Sequence, residues 1–139
     1  MKQFRILLLT GVIAGIVLAL YLKVIQLLTG NQAYILLFNF DYVPVIQDWE
    51  PQLLIGYLFH FLTCIASAVV LFYLLRFVHL EFRIWPYVLV YTVGGGILFS
   101  LTGLSDQPPA ITDGAAWFYW TMAHAVFGLI VGSLIKHWK

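Results

Sequence analysis

Charge is what this sequence has least of. Only 9% of its 139 residues are Asp, Glu, Lys or Arg, where a soluble domain carries about a quarter. That deficit excludes an ordinary soluble domain. A net charge of +1 with no basic patch beyond two or three charges at each end gives nucleic acid nothing to bind. Cysteine is nearly absent too: Cys64 stands alone, so no intrachain disulfide exists, and its expected role is a small buried packing residue. One cysteine and distant histidines make no zinc spacing. There is no G-x-S-x-G, no phosphate loop and no pair of carboxylates within an apolar run, so neither an enzyme nor a cofactor is expected. Long loops are missing as well. The widest interval between apolar runs is residues 29–52, which leaves no room for a separate domain.

Apolar residues fill the space instead, at 63% of the chain. They form four runs, Phe4–Leu28, Leu53–Leu75, Ile84–Leu104 and Ala115–Ile135. Each is long enough to cross a hydrocarbon core as a helix, which needs about 20 residues. The expected fold is an all-α membrane protein, a single bundle of four transmembrane helices over residues 1–139. Threading the runs in order puts Lys2, Arg5, Arg76, Arg83, Lys136 and Lys139 on one side and Asp41, Asp48, Glu50, Asp106 and Asp113 on the other. The positive-inside rule then predicts both termini in the cytoplasm, in a multi-pass protein of the bacterial cytoplasmic membrane. The basic, apolar N-terminus mimics a signal peptide, but the run is too long and no small-residue cleavage site follows. Trp49, Trp85, Trp117, Trp120 and Trp138 fall near the expected interfaces, as an aromatic belt would. Ala33–Phe40 is apolar but too short to span; it is expected to lie in the interface or fold back on the bundle.

Small residues recur every fourth position. Gly11, Gly15 and Ala19 form such a stripe in the first run, and His124, Gly128 and Gly132 in the last; Gly94, Gly95 and Gly96 stand together in the third. Stripes of this kind let helix backbones approach closely in lipid. There are more of them than one bundle needs, so a homo-oligomer or a larger membrane complex is expected.

Polar groups inside a membrane are costly and point to function. Lys23, His60 and His124 are the three that stand out. On helices of ~1.5 Å rise per residue all three fall within roughly 15 Å of the outer surface. Each also continues the small-residue face of its helix. They are therefore expected to converge on one outer-half cavity, with Tyr57, Tyr119 and Gln26 as further candidates to line it. The bland alternatives are a snorkelling lysine and histidines that merely bridge helices. His79 and His137 sit at the basic edge and carry no expectation.

The run G-x-x-A-G-x-x-x-A-x-x-x-K at Gly11–Lys23 resembles the first helix of small bacterial inner-membrane proteins of the YagU/YqhR type. The resemblance continues at His60, at Phe99-Ser100-Leu101-Thr102-Gly103-Leu104 before a proline-containing loop, and at Ala123-His124-Ala125-Val126-Phe127-Gly128. It covers most of the chain, although the first outer loop differs. It implies the same four-span architecture and a loose connection with acid tolerance.

Together these features predict a non-enzymatic membrane protein whose outward polar cavity responds to external pH or binds an anionic small molecule or lipid headgroup. Two readings compete with it. One is a structural or assembly subunit. The other is a haem-binding electron carrier with His60 and His124 as axial ligands, the glycines leaving room for the porphyrin.

Overall fold

A computed structural model describes residues 2–139. Among them every regular element is helical. Four α-helices follow the four apolar runs: α1 (Lys2–Thr29), α2 (Gln52–Phe77), α3 (Ile84–Leu98) and α4 (Gly114–His137). A 3-10 segment, Phe99–Leu104, extends α3 to the length of a span. All four are long and apolar enough to cross a membrane, so the chain reads as a multi-pass membrane protein. The outward faces agree: Leu9, Leu20, Leu62, Leu74, Leu89, Ile97 and Phe118 are all more than half exposed, with only apolar atoms to offer a solvent. Hydrocarbon can surround such faces at no cost; water cannot.

Local chemistry sets the helix ends. Gly30, at φ 73°, stops α1 in the left-handed conformation that glycine adopts without strain. Pro86 occupies the first turn of α3, where a missing N–H costs nothing. Asp113 caps α4, its carboxylate accepting from the Ala116 N–H at 2.9 Å.

The packing order differs from the chain order. α1 packs on α2 and on α4, and α4 packs on α3, whereas α2 and α3 hardly touch. The helices thus run α2–α1–α4–α3 around an arc that does not close. Glycines make two of its seams. In the α1–α2 seam, a Cβ on Gly11 would lie 2.6 Å from the Ile65 Cα, and one on Gly15 would lie 3.2 Å from the Cys64 Sγ. In the α3–α4 seam, Gly128 abuts the Tyr87 carbonyl at 2.7 Å and Gly132 abuts the Ile84 Cα at 3.0 Å, measured in the same way. In lipid there is no hydrophobic gain from joining helices, so backbone approach of this kind supplies dispersion that larger residues would prevent. Ala19 packs, half-buried, against the core. Gly94 is the exception: a side chain there would meet nothing within 4 Å. The expected surplus of glycine faces therefore reduces to one, because the bundle itself uses the others.

The short apolar segment folds back on the bundle. Gln32–Leu37 forms a 3-10 turn against α1 and α4, burying Ala33, Leu36 and Leu37. Its neighbour Phe38 presses its carbonyl against Gly56, where a Cβ would lie 2.5 Å away. Asn39 and Asp41 tie this roof to the α3–α4 loop. Asn39 donates to the Ser105 hydroxyl at 2.6 Å; Ser105 donates to the Asp41 carboxylate at 2.9 Å, and the Asp106 N–H donates to it at 3.2 Å. At the opposite end the Lys139 ammonium sits 5.1 Å from the centre of the Phe82 ring, and Lys2 and Lys139 border one surface hollow. Six basic residues thus gather at one end of the molecule and five acidic ones at the other.

Candidate functional site

The open side of the arc encloses a cavity of about 260 Å³. Leu36, Leu37 and Tyr42 cover it from the roof, and Leu18 of α1 forms its back. His60, Thr63, Cys64 and Ser67 line it from α2; Tyr91 and Leu98 from α3; Trp120, His124 and Phe127 from α4. No Asp, Glu, Lys or Arg lines it.

Both histidines therefore reach one space, but on unequal terms. His60 is buried, and its Nε2 lies 3.1 Å from the Gly15 carbonyl. A carbonyl only accepts, so this nitrogen carries the proton. The Cys64 Sγ lies 3.9 Å from both ring nitrogens. The bond crosses the α1–α2 seam, where a Cβ on Gly15 would meet Cys64 and Phe61 at 3.2 Å. His124 is half-buried, and its Nδ1 lies 2.9 Å from the Trp120 carbonyl one turn earlier. By the same reasoning Nδ1 is the donor, which leaves Nε2 with a free lone pair. Nε2 has no hydrogen-bond partner among the described residues, and it is not among the polar atoms sealed from access.

The ring of His124 is held on two sides. The Trp120 indole lies 4.5 Å away, centre to centre. On the other side stands Gly95, where any Cβ would fall on the imidazole, 2.6 Å from the His124 Cβ. Trp120 is fixed in turn, its indole N–H donating to the Gly95 carbonyl at 2.9 Å, while Trp117 does the same to Gly96 at 3.1 Å. The glycine triplet thus provides a flat wall for one imidazole and carbonyl acceptors for two indoles. Trp120 belongs to this buried arrangement and not to the interfacial belt in which the sequence placed it.

Lys23 is not part of the site. It is exposed near the C-terminal end of α1, where its ammonium donates to the Gln26 side chain at 2.8 Å and sits 4.8 Å from the centre of the Tyr34 ring. Its long stem lets it leave the small-residue stripe for the rim, the snorkelling outcome. Gln26 is engaged with it, Tyr57 is exposed and stacks on Phe38 at 4.5 Å, and Tyr119 does not reach the cavity. Without Lys23 the cavity lacks the cation that an anionic ligand would need.

The geometry also opposes bis-histidine haem ligation. The Nε2 of His60 is committed to Gly15, and the glycines expected to make room for a porphyrin are filled by Ile65, Cys64, Tyr87 and the His124 ring itself. Sequence reasoning missed Tyr91, Thr63, Phe127 and Tyr42. These are ordinary apolar-run or loop residues whose facing depends on the packing order.

Comparison of the chain with protein families, with curated proteins and with solved structures finds no match in any of the three.

Proposed function

We propose that this chain is a non-enzymatic protein of the bacterial cytoplasmic membrane, with both termini inside, whose intramembrane cavity binds a small uncharged molecule. The observation that carries the reading is the cavity of about 260 Å³, lined by no Asp, Glu, Lys or Arg and by His124, whose Nε2 has no hydrogen-bond partner among the described residues. A dry cavity of ~150 Å³ already accommodates benzene, so this one is large enough for a substituted ring. The topology rests on the six basic residues at one end. Kinship with proteins of the YagU/YqhR type rests on the motifs running from Gly11 to Gly128. The bilayer is the first partner. A homo-oligomer or larger complex would use the Gly94 face of α3, where a side chain would meet nothing within 4 Å.

A response to external acid belongs to the same reading. Protonation converts Nε2 from acceptor to donor. The titratable groups facing His124 across the cavity are His60 and Cys64 from α2, Tyr91 from α3 and Tyr42 from the roof. None of them is a carboxylate able to hold an imidazolium, so acid weakens binding of any ligand that donates to Nε2.

Toluene tests the cavity. A ligand present at 100 times its Kd stabilises the folded state by about 2.7 kcal/mol. Toluene should therefore raise the unfolding free energy of the wild type in detergent and have little effect on Leu18→Phe, in which the extra ring atoms occupy the space. Equal stabilisation of both proteins would show that toluene acts elsewhere and would overturn the reading.

A further inference from the structure

We infer that the ligand is a membrane-dissolved phenol, its ring in the cavity, its hydroxyl donating to the Nε2 of His124, and its alkyl tail leaving sideways between α2 and α3. The inference deepens the reading of the cavity as a binding site and rests on it.

Three observations carry it. The first is the missing seam. α2 and α3 are joined at the basic end by residues 78–83, where Phe72 and Phe82 stack at 6.1 Å. Beyond that they hardly touch, and the Tyr91 hydroxyl reaching Ser67 at 3.4 Å is the one side-chain hydrogen bond between them among the described residues. Thr63 and Leu98, one from each helix, line the cavity and are exposed, so they form the two lips of a mouth that faces lipid. A ligand using this mouth arrives from the bilayer. The roof closes the alternative path from water, because Leu36 and Leu37 are buried and Asn39 and Asp41 bind the roof to the α3–α4 loop.

The second observation is the wall chemistry. Phe59, Tyr91, Trp120 and Phe127 surround the space with aromatic rings, and no ionic group is present to hold a charged head. Aromatic pairs gain from offset or edge-to-face contact beyond simple burial, which favours a ring over a bare alkyl chain. The third is an acceptor held in a fixed orientation. His124 is held by Gly95, by the Trp120 indole and by the Trp120 carbonyl, so its lone pair has one direction. A phenol hydroxyl is the simplest donor attached to a ring. A ligand that cannot donate leaves this acceptor unpaired in a dry site, which is unfavourable.

The experiment compares 4-butylphenol with 4-butylanisole in bilayer nanodiscs, with concentrations expressed in the lipid phase. In the second probe a methyl group replaces the hydroxyl proton. Loss of one hydrogen bond should weaken anisole binding about five- to tenfold. The phenol should shift the ¹⁵N resonance of the His124 Nε2, and the anisole should leave it in place. His124→Phe should bind both probes equally. Thr63→Trp and Leu98→Trp, at exposed lip positions, should abolish the preference for 4-butylphenol over phenol itself. Equal affinity for phenol and anisole in the wild type, with no resonance shift, would overturn the donor assignment while leaving the cavity as a binding site. A tail preference surviving in both lip variants would overturn the lateral path. Failure of toluene as well as both butyl probes would reject the binding reading from which this inference starts.

Discussion

Three consecutive glycines in α3 give three different expected results on the same substitution. In a helix interior alanine is favoured over glycine by about 1 kcal/mol. Gly94→Ala adds a methyl group where nothing lies within 4 Å, so the full gain of about 1 kcal/mol should appear. Gly96→Ala brings the methyl to 3.4 Å from the Thr121 hydroxyl, an ordinary contact, and should fall between neutral and that gain. Gly95→Ala drives the methyl into the His124 ring. The atoms it meets, including the His124 Cβ, lie close to the α4 backbone and cannot swing aside, so α3 and α4 must separate. Overpacking costs roughly 1–3 kcal/mol; set against the propensity gain, a net loss of up to about 2 kcal/mol remains. Unfolding each variant with SDS in mixed micelles, followed by helical circular dichroism, gives the three free energies. The diagnostic result is opposite signs at positions 94 and 95. If Gly94→Ala destabilised as much as Gly95→Ala, the α3–α4 seam would not have the rotation described here, and the wall behind His124 would be lost with it.

Other predictions follow from the same geometry. Lys23→Met should leave the ¹⁵N shifts and titration midpoints of both imidazoles unchanged, because Lys23 contacts Gln26 and Tyr34 at the rim; a shift of either histidine would return the lysine to the cavity. In a Cys64→Ser background, a membrane-impermeant thiol reagent applied to intact cells should label a cysteine at position 106 and spare one at position 79; the reverse pattern would invert the topology. Burial, and then the neighbouring Asp41 charge, raise the Tyr42 hydroxyl above its ordinary value of 10.0. The folded state therefore holds that proton more tightly, and the associated stability is complete below pH 10 and is lost as pH climbs toward the raised value. The melting temperature of the wild type should accordingly fall more steeply than that of Tyr42→Phe above about pH 10, and parallel falls would count against it.

The four spans were legible because length and hydropathy alone define them. The histidines of the site were legible because a titratable group in an apolar run is rare. What the sequence concealed is the order α2–α1–α4–α3. A soluble helix marks its buried face by contrast with polar residues. Here lipid and core are both apolar, so Leu18 inside and Leu20 outside look alike. A spacing of four drifts by about 40° per step on a helix of 3.6 residues per turn, so the buried face of α1 continues through Leu18 and Leu22 while Lys23 turns away from it and is exposed. For Trp120 the sequence offers only its position near a helix end, which points to the interface; its indole instead donates to the Gly95 carbonyl.

The two glycine seams have a consequence for how the molecule comes into being. Each joins helices adjacent in the chain, α1 with α2 and α3 with α4, so each hairpin holds its tightest contacts within itself. Local contacts of this kind close early, whereas contacts between distant stretches wait for the chain that makes them. The first hairpin can thus be locked in the bilayer before the second has been synthesised, with docking along α1 and α4 as the final step. Leu18 and His60 come from the first hairpin; Tyr91, Trp120 and His124 come from the second. The cavity is therefore the last part of the protein to exist, and it forms from two surfaces that each face lipid until they meet.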